Sequence, residues 1–387
     1  MAEDSYTEIT SQSWFGRLGD AIKGIVFGII IFIVAFPLLF WNEGRAVKRY
    51  KALKEGAGAV ISVAEDKVDT ANDGKLVHIT GLATTEDVLE DNEFGISANA
   101  IKLKRDAQMY QWKEAKKTKQ RKKTGGGTTT KTTYSYVKAW SDKIISSANF
   151  KQPEDHTNPT GMAYAGKQYT AKNVTLGAFN LSQTLIGKIH HFEDVDIQDS
   201  ASQLPVGLQD KVKIHDDSYY MGKTPESPEI GDIKISFKII KPLKVSVISK
   251  QIGKTFEPYN SKASGQIELL QIGTLSADNM FETAKKQNSL ITWILRFVGF
   301  VLLFVGLGLV FNPLSVLADI IPFLGSIIGA GVWLVAFLLA MAFSLLTISI
   351  AWLAYRPLLG VSLLIVTGIL VFGLKWLPKQ KSNLQAK

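Results

Sequence analysis

Apolar and polar positions fall into blocks along this chain. Two nearly uncharged apolar stretches near its ends enclose a polar middle, Asn42 to Ser289. The first stretch, Gly24 to Trp41, holds 18 residues without a charge; as a helix it is roughly 27 Å long at ~1.5 Å per residue, close to the ~30 Å hydrocarbon core of a bilayer. The second, Phe297 to Leu374, carries only Asp319 and Arg356 as charges in 78 positions. No soluble domain keeps so little charge over such a length, so both stretches are assigned to lipid.

Charge, Asn and Pro punctuate the second stretch. They predict transmembrane helices over 290–311, stopped by Asn312-Pro313, over 329–355, and over 356–375, with 312–328 as a hairpin or interfacial segment because it carries Asp319 and two prolines. With 24–41 this gives four spans, a basic tail at 376–387 and an N-terminal tail at 1–23. In that tail Trp14, Phe15, Leu18 and Ile22 recur at helical spacing, which predicts a short amphipathic helix lying in the interface before the chain turns inward. Trp41, Trp293, Trp352 and Tyr355 then fall on the side of the middle domain and Trp14 and Trp376 on the other, as interfacial aromatics should. The lysines and arginines of the two tails favour cytoplasmic tails, although Arg45, Lys48, Arg49, Lys51 and Lys54 follow the first span on the domain side. The domain is thus expected on the side of the membrane away from the cytoplasm.

The middle, 42–289, is patterned for strands. Leu76 to Thr80, Ile101 and Leu103 between lysines, Tyr134 and Tyr136, Ile233, Ile235 and Phe237, Val245 and Val247, and Ile267 to Leu270 carry the β signal. One amphipathic helix is expected through Leu181, Leu185, Ile186 and Ile189. A second, capped by Ser276, should run through Met280, Phe281 and Ala284 into the second span. The fold class is therefore an α-helical membrane protein of four transmembrane helices, with a large β-rich (α+β) extramembrane domain inserted between helices 1 and 2.

Charge adds one feature. The net charge is +9, and 113–131 alone sets eight basic residues against Glu114. Lys116, Lys117, Lys119, Arg121, Lys122 and Lys123 are candidate contacts for anionic lipid, since each cation near such a surface contributes about 1 kcal/mol. The competing reading is a solvated hairpin tip, with Gly125-Gly126-Gly127 as its flexible loop; the run has no interleaved aromatics, and no nucleic acid is expected. The chain has no cysteine, hence no disulfide or thiolate site. His190, His191, Glu193, Asp194 and Asp196 cluster without a zinc spacing, and neither GxSxG, a Walker-A loop nor GxGxxG is present, so catalytic, cofactor and metal sites are all expected to be absent. Gly24/Gly28 and Gly325/Gly329 form two GxxxG pairs, candidate helix contacts for self-association.

Several separated words resemble the LUMA family, the transmembrane protein 43 family of four-pass membrane proteins. They are Asn42-Glu43-Gly44-Arg45-Ala46, Leu76-Val77-His78-Ile79, Lys102-Leu103 with Arg105 and Met109-Tyr110-Gln111-Trp112, Tyr134-Ser135-Tyr136 before Trp140, Gly231-Asp232, Thr292-Trp293 with Arg296, and Tyr355-Arg356-Pro357-Leu358. The resemblance implies a non-enzymatic protein with cytoplasmic tails and a lumenal or periplasmic domain. It also implies, from animal members, residence in the endoplasmic reticulum and inner nuclear membrane, self-association, and emerin and lamins as partners. The stretch 113–131 departs from the more acidic animal pattern. The reading is a scaffold that organises membrane; its rival is a membrane-anchored enzyme acting on lipid or envelope polymer. The residues expected to matter are those of the domain–membrane junction: Asn42, Glu43, Gly44, Arg45, Trp293, Arg296, Tyr355, Arg356 and Pro357.

Overall fold

The computed structural model describes residues 4–198, 204–358 and 361–362. It divides into two compact units: Met1–Ser11 with Ala52–Arg121 and Thr129–Ala284, and Gln12–Lys51 with Lys122–Thr128 and Lys285–Lys387. The helices used below are α1 (Trp14–Ala59), α2 (Gln183–Gly187), α3 (Ala277–Ala318) and α4 (Pro322–Tyr355). The strands are β1 (Ser5–Gln12), β2 (Leu76–Thr84), β3 (Lys102–Lys122), β4 (Thr128–Ser141), β5 (Ser218–Met221), β6 (Ile233–Ile240), β7 (Leu243–Ile252) and β8 (Leu269–Ile272).

The first unit is the β-rich domain. An eight-stranded sheet runs β1-β4-β3-β6-β5 before the short strand Lys213–His215; a seven-stranded sheet is built on β2 and β7, with β8 also paired to β7. The alternation read from sequence sets the register: Ile235 stands opposite Ala107 and Phe237 opposite Arg105, while Ile79 faces Val247. Inward residues of both sheets, among them Leu103, Met109, Ile235 and Phe237 with Val77, Ile79, Val245 and Val247, join Phe94 and Phe179 in one apolar cluster. Each such side chain contributes about 1.5–3 kcal/mol by leaving water. Lys102 departs from the expected outward lysines: it is buried and donates to the carbonyls of Gly187 (3.1 Å) and Ile189 (2.7 Å), closing the C-terminal end of α2, and burial lowers its pKa. The expected amphipathic helix is only the five residues of α2, capped by the Ser182 hydroxyl.

The N-terminal tail brings the clearest departure. Residues of β1 form a strand of this domain's larger sheet, so the expectation of an N-terminal tail that holds only an interfacial helix is corrected. The backbone N–H of Tyr136 donates to the Asp4 carbonyl (3.0 Å), Tyr6 packs on Tyr134, and Glu8 accepts from Lys151 (2.9 Å). Alternating Tyr6, Glu8 and Thr10 with Thr7 and Ile9 carries a weak strand signal that the apolar helix beside it masked.

His156 clips this strand. Its Nε2 meets the Asp4 carboxylate at 2.8 Å, its Nδ1 the Gln152 carbonyl at 2.9 Å, and its ring stacks on Tyr136 at 3.7 Å. Burial opposes its charged form, but these two acceptors outweigh it and raise its pKa. A raised folded-state pKa means that the contribution is complete below the unfolded value near ~6.5 and is lost as pH rises through the folded value. Amide exchange over residues 4–12 should therefore be slow at acidic pH and quicken on passing above neutrality beyond the intrinsic base-catalysed rise. In His156→Gln the quickening should vanish; a pH response that persists there removes His156 from the account.

In the second unit the helix boundaries move. α1 is continuous through the segment expected to lie in the interface, through the predicted span 24–41, and on to Ala59, so no inward turn separates 1–23 from 24–41 and the β-rich region does not begin at Asn42. The reason is local: 42–59 is rich in Ala, Lys, Arg and Glu with no proline, a composition that favours continuing the helix despite Gly44, Gly56 and Gly58. Asn312-Pro313 does not stop the second span either. Pro313 lies inside α3, which ends at Ala318, and the chain turns over 319–321. The working proline is Pro322, at the first position of α4, where its missing N–H costs nothing and its fixed φ suits a helix start. Among the described residues three helices are long and apolar enough to cross a membrane; the fourth predicted span lies largely, and the basic tail wholly, outside them.

Ala35, Leu39, Leu303, Leu307, Ala336 and Ala340 form the core between α1, α3 and α4, flanked by Phe32, Phe36 and Phe343. Val26, Phe27, Ile29, Ile30, Ile33 and Val34 of α1 are exposed, the apolar face that lipid covers.

Candidate functional site

The junction residues converge. Glu43, fully buried, accepts from Arg296 through both oxygens, Nε to Oε1 at 2.6 Å and Nη2 to Oε2 at 2.9 Å, and Oε2 also accepts from the Trp352 indole at 2.8 Å. One carboxylate thus ties α1 to both α3 and α4. Arg296 lies 4.8 Å over the Trp293 ring and 5.8 Å from that of Trp352, so its charge is satisfied in the plane by the carboxylate and on its faces by aromatics.

One turn along, a second set of bonds joins α1 to α3. Asn42 Nδ2 donates to the Thr292 carbonyl (3.0 Å); Arg45 donates to Asn288 Oδ1 (3.1 Å), Asn42 Oδ1 (3.2 Å) and Thr292 Oγ1 (3.1 Å); Asn288 Nδ2 donates to the Ala46 carbonyl (3.0 Å). Gly44 meets the Tyr355 ring, where a Cβ would lie 2.6 Å from the nearest ring carbon. Arg356 follows as the C-cap of α4, its N–H donating to the Trp352 carbonyl, and Pro357 is exposed. Sequence reading grouped these positions as junction residues but missed Asn288 and Trp352 as partners; polar residues at helical spacing on α3, Asn288 and Thr292, were the available signal.

The glycine pairs are occupied within the chain. A Cβ on Gly28 would stand 2.7 Å from the Gly306 carbonyl oxygen, and one on Gly306 would stand 2.9 Å from that of Gly28, so α1 and α3 touch backbone to backbone; Gly24 faces Leu309 more loosely. Gly325 packs on Asp319 and Gly329 on Ser315. Gly28→Leu must push the two helices apart. The expected result is a loss of about 1–3 kcal/mol or more from overpacking, read as a lower midpoint of thermal unfolding in lipid nanodiscs. Gly58→Leu, with open space around it, is the matched control.

A second buried carboxylate sits at the turn between α3 and α4. Asp319, fully buried, accepts from Arg17 Nη2 and from Lys122 Nζ, both at 2.6 Å. Arg17 also donates to the Gly126 carbonyl, and the Trp14 indole to that of Val316 (2.7 Å).

The basic run is not a loop. Residues through Lys122 belong to β3, and only 123–127 turn, closed by the Lys123 N–H on the Gly127 carbonyl (2.8 Å). Lys116, Lys117, Lys119 and Arg121 are exposed, and Lys116 lies 5.7 Å from the Tyr134 ring centre. The Gly-Gly-Gly segment supplies positive φ at Gly125 and Gly126, which the turn requires.

Elsewhere in the β-rich domain, a cavity of about 480 Å³ is lined by Asp106, Asp142, Asp194, Asp216 and Asp217 with Lys234 and Lys238. Among the described residues no group of His, Asp and Glu is arranged to hold a metal. His78 lies 3.2 Å from Ser62 Oγ, but its other nitrogen meets the Leu275 carbonyl (2.9 Å) rather than a carboxylate. Burial lowers its pKa. Neither residue lines the acidic cavity. Tyr220 donates to Asp232, and burial and that carboxylate raise its pKa. Tyr136 is pushed up to about 12 by burial and by its bond to Glu114.

The family model described as Transmembrane protein 43 matches residues 109–357. A rat protein named Transmembrane protein 43 is 35% identical over 367 residues, covering 91% of this chain and 90% of its own. Its human counterpart is 34% identical over 354 residues (88% and 87%), and a Drosophila melanogaster homolog 32% over 351 (88% and 91%). No solved structure matches.

Proposed function

The chain belongs to the transmembrane protein 43 family, a multi-pass integral membrane protein with a large β-rich domain, and from that premise we propose that it is a non-enzymatic scaffold that organises membrane. In this reading it self-associates and presents the β-rich domain, on the lumenal or periplasmic side, to membrane or envelope proteins, the class to which the emerin and lamins of animal relatives belong. The observation that carries it is the fate of the polar groups between the apolar helices. Asn42, Glu43, Arg45, Asn288, Thr292 and Arg296 are all engaged in binding helix to helix, as a structural rivet requires and as a reaction centre or ion path does not. The Ser62–His78 pair, whose second ring nitrogen meets a carbonyl, gives the enzyme alternative little support.

The chain has no native cysteine, so single introduced ones report cleanly. Val206, 83% exposed, is a suitable position in the domain. In sealed vesicles with the cytoplasmic face outward, Val206→Cys is expected to react with an impermeant maleimide only after permeabilisation, and nanodisc-embedded protein is expected to run as an oligomer in mass photometry. Labelling without permeabilisation overturns the assigned side; a strictly monomeric population overturns self-association.

A further inference from the structure

Two cavities of the second unit share a wall. The first is an apolar groove of about 340 Å³ between α3 and α4, lined by Phe297, Phe300, Phe337, Met341 and Leu345, with Ser344 on its floor and Trp293 and Arg296 at one end. The second is a polar chamber of about 310 Å³, lined in part by Lys285, Asn288, Ser289 and Arg356, and it shares Trp293 and Arg296 with the groove. An apolar slot thus lies beside a cationic pocket, with one pair of side chains in the wall of both. Trp293, 64% exposed, marks the height at which headgroup and acyl region meet.

The charges of the chamber are not balanced. Arg296 is neutralised by Glu43, but neither Lys285 nor Arg356 has a carboxylate partner among the described residues, and both are half-buried. The chamber therefore holds two positive charges in excess, with Asn288 and the Ser289 hydroxyl beside them. A neutral lipid leaves that excess uncompensated, and a free anion leaves the adjoining groove of phenyl rings unfilled. An amphiphile with a phosphate diester at one end and a hydrocarbon chain at the other offsets one of the two charges, accepts hydrogen bonds from both cations and fills the groove, and its acyl chain would stay at the depth that the exposed apolar faces of these helices already occupy.

We propose that the paired cavities bind one anionic phospholipid of the surrounding bilayer, its phosphate in the chamber facing Lys285 and Arg356 and one acyl chain in the groove between α3 and α4. Neither the family membership nor the scaffold reading is needed for this, and its failure would leave both standing.

The test uses the full chain in detergent, relipidated with mixtures of palmitoyl-oleoyl phosphatidylglycerol and the matching phosphatidylcholine, with retained lipid counted by native mass spectrometry. Wild-type protein is expected to hold one phosphatidylglycerol in preference to phosphatidylcholine. In Lys285→Gln/Arg356→Gln that preference should fall on the order of tenfold. Lys286→Gln, which changes an exposed lysine outside the chamber, should leave it intact. Ser344→Trp fills the groove without touching a charge and should displace the bound lipid. Equal retention of the two lipids by wild type overturns the proposal, as does a double variant that binds like wild type. Retention unchanged by Ser344→Trp also overturns it, by showing that the bound lipid does not use the groove.

Discussion

Replacing Glu43 by alanine is expected to lower the free energy of unfolding by about 3–5 kcal/mol, the effect of leaving one member of a buried ion pair without its partner. The lost carboxylate is fully buried and Arg296 is only 16% exposed, so little water reaches the guanidinium in compensation. The same change orphans the Trp352 indole N–H, which has Glu43 as its acceptor. Because one carboxylate holds α3 and α4 to α1, the loss should appear as a single lowered midpoint for the helical unit in nanodiscs. The pair itself need not be worth that much. Glu43→Leu combined with Arg296→Met removes both charges and keeps the volume, and is expected to recover most of the loss, since desolvating two charges offsets most of their attraction. A double variant as unstable as Glu43→Ala would mean that packing around residue 43, and not the stranded charge, sets the cost.

The parts of this fold that announce themselves in the sequence are those with strong periodicity. β6 alternates Ile233, Ile235, Phe237 and Ile239 inward until Ile240, also buried, ends the pattern, and its register against β3 follows from that alternation. The apolar helices are equally plain, but their ends are not. Pro313 predicts a helix stop and instead lies within a helix, and the effective break is the turn at 319–321, with Pro322 starting the next helix. Proline position alone does not say which side of a helix end it marks; φ is suited to both, and tertiary packing decides. The junction motif Asn42 to Arg45 was legible as a cluster because polar residues stood out beside an apolar span. Its geometry was not, because the partners Asn288, Thr292, Arg296 and Trp352 lie some 240 to 310 positions away and nothing local pairs them. The GxxxG pairs show the converse: the spacing predicted close helix contact, and the contact exists, but Gly28 meets Gly306 of the same chain.

Asp319→Asn is expected to have the second largest effect, and a different character. The aspartate is set between two cations, Arg17 and Lys122, each 2.6 Å away, so these three side chains already carry a net positive charge and the substitution leaves two like charges facing each other in a site where the carboxylate is fully buried. Arg17 is 13% exposed and cannot regain full hydration, whereas Lys122, 38% exposed, can swing into water. The loss should therefore be about 3 kcal/mol, at the lower end for breaking a buried pair. It should be local, since the bonds that hold the three helices together around Glu43 involve none of these residues. Amide exchange and limited proteolysis at the first turns of α1 and at 319–321 should rise sharply while the global midpoint moves less than in Glu43→Ala. Arg17→Gln removes one of the two cations, and in that background Asp319→Asn should cost markedly less than alone, a coupling that a double-mutant cycle measures directly. Gly325 provides an independent route to the same state, because a Cβ there would strike the Asp319 carboxylate; Gly325→Ala should loosen the same segment with every charge retained. If Gly325→Ala and Asp319→Asn expose different segments, or if the cycle shows no coupling to Arg17, the buried aspartate does not fasten this turn.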